Sequence, residues 1–466
     1  MSGGLNADST ILRRSPRDRP ARSTLPPGPG MPSTLQALGW LNRPMPFMER
    51  CRARYGDTFT LDMRHFGRWV FLCDPDDVKK VFTADTATVG VDIANPLLGP
   101  ILGSRSVMLL DEPEHLRRRK LLLPYFRGRH LQHGGEASVE AARRAVAEWP
   151  RDEPFELWPR MQAITQDVIL RSVFGDGDPA LRRRVDTLLN VLTEWAGHPH
   201  RSTVLTAFGP RWVARSPAFR AAMAPIEQAV LAEVRRRRGG DDPGEGIISM
   251  LAHVQDDDGS LLDDQTLRDE LVTLLTDGPT SASLAWMFER VLRHPEALDR
   301  LTEEVEAGGV DHYARAVVNE TLRLCAPVPV VVRRLLQPMR LGGHLLPAGT
   351  TVAPCIYLIH RDPDIYPEPE RFRPERFLDR PPGTYTWIPF GGGVRRCLAA
   401  DFAGREMREV MRTVIATTEL HAVDPKSEGA VRSAISFGPG ARSLVTAHPR
   451  RTPLALDPTS DPVPVL

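Results

Sequence analysis

Apolar positions in this chain recur every three or four residues over most of its length, and only short stretches alternate. That pattern predicts amphipathic helices with a few half-buried strands. Helical spacing marks Pro44 to Tyr55, Asp76 to Phe82 behind Asp74-Pro75, Glu114 to Leu122, Ala137 to Glu148 and Glu156 to Val173. It marks further helices over Ala218 to Val234, Asp311 to Leu324 and Leu398 to about Thr418. Thr58 to Cys73 alternates around His65-Phe66-Gly67-Arg68 and predicts a β-hairpin. Leu336 to Pro354 predicts strands turning at Gly342-Gly343. Asp263 or Asp264 is the expected N-cap of a long helix that starts with Leu267, Leu271, Leu274 and Leu275 and runs to about Arg293. Such a helix would span roughly 40 Å, with Gly278-Pro279 interrupting its middle. Val89 to Leu110 is apolar but broken by Gly and Pro, which predicts a long irregular loop of the kind that carries function.

Residues 1–24 are arginine-rich without an apolar face and read as a tail, and 448–466 as a second one. Leu25-Pro26-Pro27-Gly28-Pro29-Gly30 reads as a stiff hinge, since proline fixes φ and cannot continue a helix. No repeat or linker divides the chain between Pro32 and Ala447, so the expected fold class is one large domain over 25–447, mainly α with small β-sheets. Hydrophobic residues make up 41% of the chain, enough for a large core and too many for a disordered protein. A net charge of +1 argues against a dedicated nucleic-acid binder. Arg235-Arg236-Arg237-Arg238 is expected to sit at a helix C-terminus, where cations favour the dipole. The five cysteines are odd in number and form no CxxC pair, which points away from a disulfide framework or zinc finger and towards a reducing cytoplasm. No apolar run is long enough for a signal peptide or membrane anchor.

The segment with the most chemistry is Pro389-Phe390-Gly391-Gly392-Gly393-Val394-Arg395-Arg396-Cys397-Leu398-Ala399. Three glycines let backbone approach a flat cofactor closely. Cys397 falls just ahead of a helix, whose N-terminus favours a thiolate, and a thiolate is a strong axial ligand for haem iron. Arg395 could pair with a haem propionate. Taken alone, the segment fits a glycine-rich turn with an inert buried cysteine equally well.

Two further motifs accompany it. Glu320-Thr321-Leu322-Arg323 puts Glu320 and Arg323 on one helical face, and Pro374-Glu375-Arg376-Phe377 follows in a proline-rich run. With these, the chain resembles the cytochrome P450 superfamily from Leu25 to Val445. The family's haem-binding pattern, Phe-Gly-x-Gly-x-Arg-x-Cys-x-Gly, is matched by Phe390, Gly391, Gly393, Arg395 and Cys397, with Ala399 in place of the last glycine. The resemblance implies haem b (iron protoporphyrin IX) with Cys397 as its ligand. It implies a structural Glu320–Arg323–Arg376 network under the cysteine loop, and His115, Arg119 and Arg333 as propionate partners. It implies a pocket formed by the Val89–Leu110 loop, Leu275 to Ser283, Val330, Val331 and Ile435-Ser436-Phe437. These residues are mostly aliphatic, so the expected substrate is an apolar small molecule.

The implied reaction is reductive activation of O2 and insertion of one oxygen atom into a C–H bond or a C=C. Electrons would come from NAD(P)H through ferredoxin reductase and ferredoxin to a monomeric, cytoplasmic enzyme of bacterial secondary metabolism. His115 to Lys120 and Arg395-Arg396 form the expected basic face for an acidic ferredoxin, with Arg117 and Arg118 at its centre. Two rivals stand beside this reading. One is atypical chemistry on the same fold (peroxide-driven oxidation, cyclisation, coupling or rearrangement), and the other a haem sensor or carrier without turnover.

The chain departs from the family in its long helix. Members carry Ala/Gly-Gly-x-Asp/Glu-Thr-Thr/Ser, where the Thr holds a water and the acid relays protons towards bound O2. Here the stretch is Leu275-Thr276-Asp277-Gly278-Pro279-Thr280-Ser281. Thr280 and Ser281 can stand in for the alcohols. No acid directly precedes them, and Asp277 lies on the far side of Pro279, so either solvent supplies the protons or the relay is altered.

Overall fold

The computed structural model describes residues 25–91, 98–175, 178–197, 204, 207–240, 246–255, 259–276, 279–308, 311–378, 380–433 and 436–450. Helices α1 (Ser33–Asn42) and α2 (Pro44–Tyr55) lead into strands β1 (Thr58–Met63) and β2 (Gly67–Leu72), then α3 (Pro75–Thr83) and the short β3 (Val89–Gly90). The hairpin pairs Thr58 with Leu72 through to Met63 with Gly67. Asp74 accepts hydrogen bonds from the Asp76 and Asp77 amides, and Pro75 takes the first helical position, so α3 starts where the sequence places it.

The helical body follows: α4 (Gly99–Leu102), α5 (Glu114–Leu122), α6 (Gly128–Ala147), the two-residue strand β4 (Phe155–Glu156), α7 (Leu157–Phe174), α8 (Pro179–Gly197), α9 (Pro210–Arg215), α10 (Pro217–Gly239) and α11 (Ile247–His253). Then come α12 (Asp264–Leu275), α13 (Pro279–Val291), α14 (Pro295–Ala307) and α15 (His312–Leu324). Short strands β5 (Arg333–Leu335), β6 (Met339–Leu341), β7 (His344–Leu346) and β8 (Thr351–Pro354) precede α16 (Ile356–Ile359) and α17 (Ala400–Thr417). The chain closes with β9 (Thr418–Ala422), β10 (Ala430–Ser433), β11 (Ser436–Pro439) and β12 (Leu444–Pro449). The larger sheet has the order β1-β2-β8-β5-β3.

One apolar core joins α6, α7, α13, α15 and α17 through Val168, Leu284, Phe288, Val317, Met411 and Val414. A second joins α8, α10, α11 and α12 through Val185, Ile226, Val230, Ile248, Leu267 and Leu271. Helix α17 comes very close to α6. A Cβ on Gly134 would lie 2.2 Å from the Phe402 ring, and one on Gly135 2.3 Å from Nε of Arg405. This explains why α6 begins at Gly128 rather than near Ala137. The two glycines weaken the local helical signal, but they admit α17, and packing outweighs propensity.

Further expectations change. The Leu25–Gly30 segment is no hinge. Its Pro26 and Pro27 carbonyls accept from Thr60 Oγ1 and N at 2.8 and 2.9 Å, and Gly28 sits so close that a Cβ would meet the Thr60 carbonyl oxygen at 1.8 Å. The segment covers the outer edge of β1. The long helix is two helices. Asp263 caps α12, which ends at Leu275, where the Thr276 amide bonds back to Val272 at 3.1 Å. Helix α13 begins at Pro279, a residue that lacks an amide donor and suits only a first turn. Asp277 and Gly278 lie outside the described residues. At the other end β12 runs to Pro449, beyond the boundary expected at 447. The basic run does lie in the last turn of α10, and Arg237 within it is buried, bonding Glu233, Ser249 and the Phe174 carbonyl. Among the described residues no helix is long and apolar enough to cross a membrane.

Candidate haem-thiolate site

The segment from Phe390 to Cys397 is a closed loop. The Cys397 amide donates to the Phe390 carbonyl at 2.9 Å, and the Arg396 amide to that of Gly393 at 3.1 Å. Gly391 and Gly393 hold φ of +69° and +68°, values that L side chains rarely adopt. A Cβ on Gly393 would lie 2.1 Å from the Phe82 carbonyl oxygen, so the loop can pack against α3 only with glycine there. Cys51, Cys73, Cys325 and Cys355 are buried, whereas Cys397 is exposed. Helix α17 starts at Ala400, two residues later than expected, with half-buried Ala399 at its N-cap.

Cations gather beside this loop. Arg119 donates through Nη1 to the Arg396 carbonyl at 2.8 Å. Burial lowers its pKa, and the nearby Cys397 partly offsets that. His115 is buried, with Nδ1 2.8 Å from Oε1 of Glu112. Burial and then the Arg395 charge lower its pKa, which keeps the ring neutral. Arg395 lies 3.2 Å from the same Glu112 carboxylate, but its buried Nη2 makes no hydrogen bond. Arg333 donates to the Val332 carbonyl at 2.9 Å. Burial, with repulsion from Arg395, drops it to about 10. No carboxylate faces Arg333 among the described residues. Arg333 without an acidic partner, beside an Arg395 whose buried Nη2 makes no hydrogen bond, forms a receptor for a carboxylate-bearing group, and haem propionates fit that requirement.

Beneath the loop, Glu320 is fully buried. Its carboxylate accepts from Arg323 at 2.7 and 2.8 Å, from Nε of Arg376 at 3.1 Å and from the Arg373 amide at 2.8 Å. Arg323 also donates to the carbonyls of His360 and Pro369 at 2.7 and 2.8 Å. Both oxygens of this buried acid are engaged, and removing one partner would cost roughly 3–5 kcal/mol.

A family profile described as cytochrome P450 matches residues 26–430. The chain belongs to the cytochrome P450 family. It is 36% identical over 417 residues to cytochrome P450 135B1 of Mycobacterium bovis, covering 87% of each chain. It is 37% identical over 414 residues to cytochrome P450 137 of Mycobacterium tuberculosis, covering 87% of this chain and 86% of that one. The haem domain of cytochrome P450DA superposes with a TM-score of 0.79 at 21% identity, over 92% of this chain and 98% of that one. A cyanobacterial CYP120A1 with retinoic acid bound superposes at 0.78 and 22% identity, over 91% and 99%. The fold is the cytochrome P450 fold, the prosthetic group is haem b, and the activity is that of a haem-thiolate monooxygenase.

Thr280 is half-buried in the first turn of α13 and Ser281 is buried. Ser283 bonds the Pro279 carbonyl at 2.8 Å, so it is spent within the helix. The expected pocket residues Val330 and Val331 line the run between α15 and β5. A Cβ on Gly391 would touch Val331 at 3.8 Å. Phe437 donates its amide to the Pro327 carbonyl, which ties β11 to the same run. Ile435 and residues 92–97 lie outside the described residues.

Sequence reasoning missed His360. Its ring accepts from the Ile388 amide at 2.8 Å and reaches the Arg323 carbonyl at 3.1 Å, which joins the Glu320 network to the start of the cysteine loop. No spacing rule pairs a histidine with residues 28 and 37 positions away. The expected basic face also changes. Arg118 is buried between Glu114 and Glu270 and faces α12, so it is absent from the surface. Arg117, Lys120, Arg127 and Arg129 are the exposed cations of that region.

Proposed function

We propose that Cys397 supplies the axial thiolate, and that this P450 inserts one oxygen atom from O2 into a C–H bond or C=C of an apolar small molecule. The observation that carries the reading is the exposed Cys397 on a closed glycine loop, near Arg333, which has no acidic partner among the described residues, and Arg395, whose buried Nη2 makes no hydrogen bond. Arg333, Arg395, Arg119 and the neutral His115 would hold the propionates. Haem, when bound, supplies the one-electron chemistry by which O2 is activated. Thr280, at the start of α13, would hold a water and pass protons from solvent to the reacting oxygen. Electrons would come from NAD(P)H through ferredoxin reductase and an acidic ferredoxin, steered to Arg117, Lys120, Arg127 and Arg129. A monomer in the cytoplasm, in bacterial secondary metabolism, is the setting this supports.

The break between α12 and α13, just ahead of Thr280, favours a second reading in which the proton relay is altered and the chemistry is atypical. One comparison separates the two. NADPH consumption and product yield are measured with surrogate ferredoxin partners across a substrate panel, for wild type and Thr280→Ala. Tight coupling that falls at least about tenfold in Thr280→Ala supports the ordinary relay. Coupling indifferent to Thr280, with turnover driven by peroxide alone, supports atypical chemistry. A reducible haem that consumes no NADPH with any partner or substrate would mark a sensor or carrier.

A further inference from the structure

Buried arginines in this chain normally face an acid. Arg237 meets Glu233, Arg323 meets Glu320, and Arg408 meets Asp311. Arg333 departs from that rule, and the haem accounts for it. Arg432, half-buried, likewise has no acidic partner among the described residues, and nothing described so far accounts for it.

Arg432 stands in β10 opposite Phe437 of β11. Its guanidinium lies 4.3 Å over the Phe437 ring and 5.7 Å from the Trp40 ring of α1. Nε donates to the Leu41 carbonyl at 3.1 Å and Nη2 to the Trp40 carbonyl at 3.0 Å. No acidic side chain faces it among the described residues, and burial alone lowers its pKa to about 10. The side chain nevertheless keeps part of its surface accessible. Capping the last turn of α1 is a real role for these two bonds, but a neutral amide could fill it without burying a charge. The bonds to α1 use the Nε–Nη2 edge of the fork. The Nη1–Nη2 edge, the one that grips a carboxylate end-on, has no protein partner among the described residues.

The location bears on what could supply that partner. Phe437, the ring under the guanidinium, is held from two sides. Its amide donates to the Pro327 carbonyl at 2.9 Å, and its carbonyl accepts from Nε1 of Trp286 at 3.0 Å. Pro327 begins the run to Arg333 at the haem edge, and Trp286 belongs to α13, the helix of Thr280. Arg432 is thus one aromatic ring removed from both segments that bound the reaction site.

We infer that Arg432 binds a carboxylate on the substrate, so that the substrate class is an amphipathic carboxylic acid with its apolar body directed towards the haem. The inference rests on the apolar-substrate reading above and narrows it. The flanking Phe437 and Trp40 rings form a slot that suits a flat carboxylate, and burial strengthens each charge-assisted hydrogen bond made there.

The test titrates the holoenzyme with dodecanoic and hexadecanoic acids and with their methyl esters. Displacement of the haem band and quenching of tryptophan fluorescence, to which Trp40 contributes, are followed together. Wild type should bind each acid about tenfold or more tighter than its ester. Arg432→Met should bind acid and ester alike, at the ester's affinity, and Arg432→Lys should keep part of the preference. Equal binding of acids and esters by wild type overturns the inference, as does a preference that survives intact in Arg432→Met. Esters that bind while acids do not overturn it and leave the apolar pocket standing. If neither acids nor esters bind wild type, the apolar-pocket reading falls with it.

Discussion

The imidazole of His360 accepts a hydrogen bond from the Ile388 amide at 2.8 Å, two residues ahead of Phe390 and the cysteine loop. The same ring reaches the Arg323 carbonyl at 3.1 Å, so one neutral histidine links the Glu320 network to the start of the haem loop. Burial, with the Arg323 charge adding to it, drops its pKa from 6.5 to about 3.

That shift has a sign. The unfolded chain takes up a proton on this histidine below about pH 6.5, while the folded protein does not until about pH 3. His360 therefore makes folding progressively less favourable as pH falls through that window, by up to roughly 5 kcal/mol in all, and has no such effect above it. In His360→Asn the loss of stability between pH 7 and pH 4 should shrink by about 3 kcal/mol. Denaturant unfolding at a series of pH values measures this, and parallel curves for the two proteins would count against it.

Arg333 predicts opposite effects on the protein with and without haem. Its guanidinium is buried beside Arg395 with no acidic partner among the described residues. In Arg333→Met the haem-free protein should be as stable as wild type, or more stable by roughly 1 kcal/mol. Haem should leave the loaded variant about ten- to a hundredfold faster. Unfolding of the apoprotein and transfer of haem to an apo-acceptor give the two numbers. Slower unfolding of the wild-type apoprotein with unchanged haem transfer would show that Arg333 serves the fold instead.

The electron-delivery face separates two neighbours that look alike in the sequence. Arg117 is exposed and Arg118 is buried between Glu114 and Glu270. Arg117→Glu should slow reduction by an acidic ferredoxin about tenfold at low salt and little at high salt, with substrate binding unchanged. Arg118→Glu should cost roughly 3–5 kcal/mol, because it sets a third carboxylate beside two others. Stopped-flow reduction and thermal unfolding read these out. Wild-type reduction kinetics in Arg117→Glu at low salt would remove this surface from the account.

These contrasts mark how far the sequence could be read. Helices α2 and α5, the β1–β2 hairpin and the Gly342-Gly343 turn follow from local pattern, because periodicity and turn residues act within a few positions. The Phe390–Cys397 motif was legible for the same reason. Partners set by tertiary packing were not. Gly134 and Gly135 read as breaks until α17 lies against them, and Arg117 and Arg118 differ only once α12 is in place. The Pro-rich start read as a hinge because the β1 edge it covers is about thirty residues away. His360 and Arg432 carry no local signal, since each is defined by groups brought to it from distant segments.

The central claim is that the Cys397 sulfur is the iron's ligand, and the carbon monoxide spectrum of the reduced protein tests it most directly. Wild type should give the thiolate-type band. Cys397→Ala should lose that band entirely, while Cys325→Ala and Cys355→Ala keep it. A thiolate-type spectrum that survives in Cys397→Ala would contradict the account.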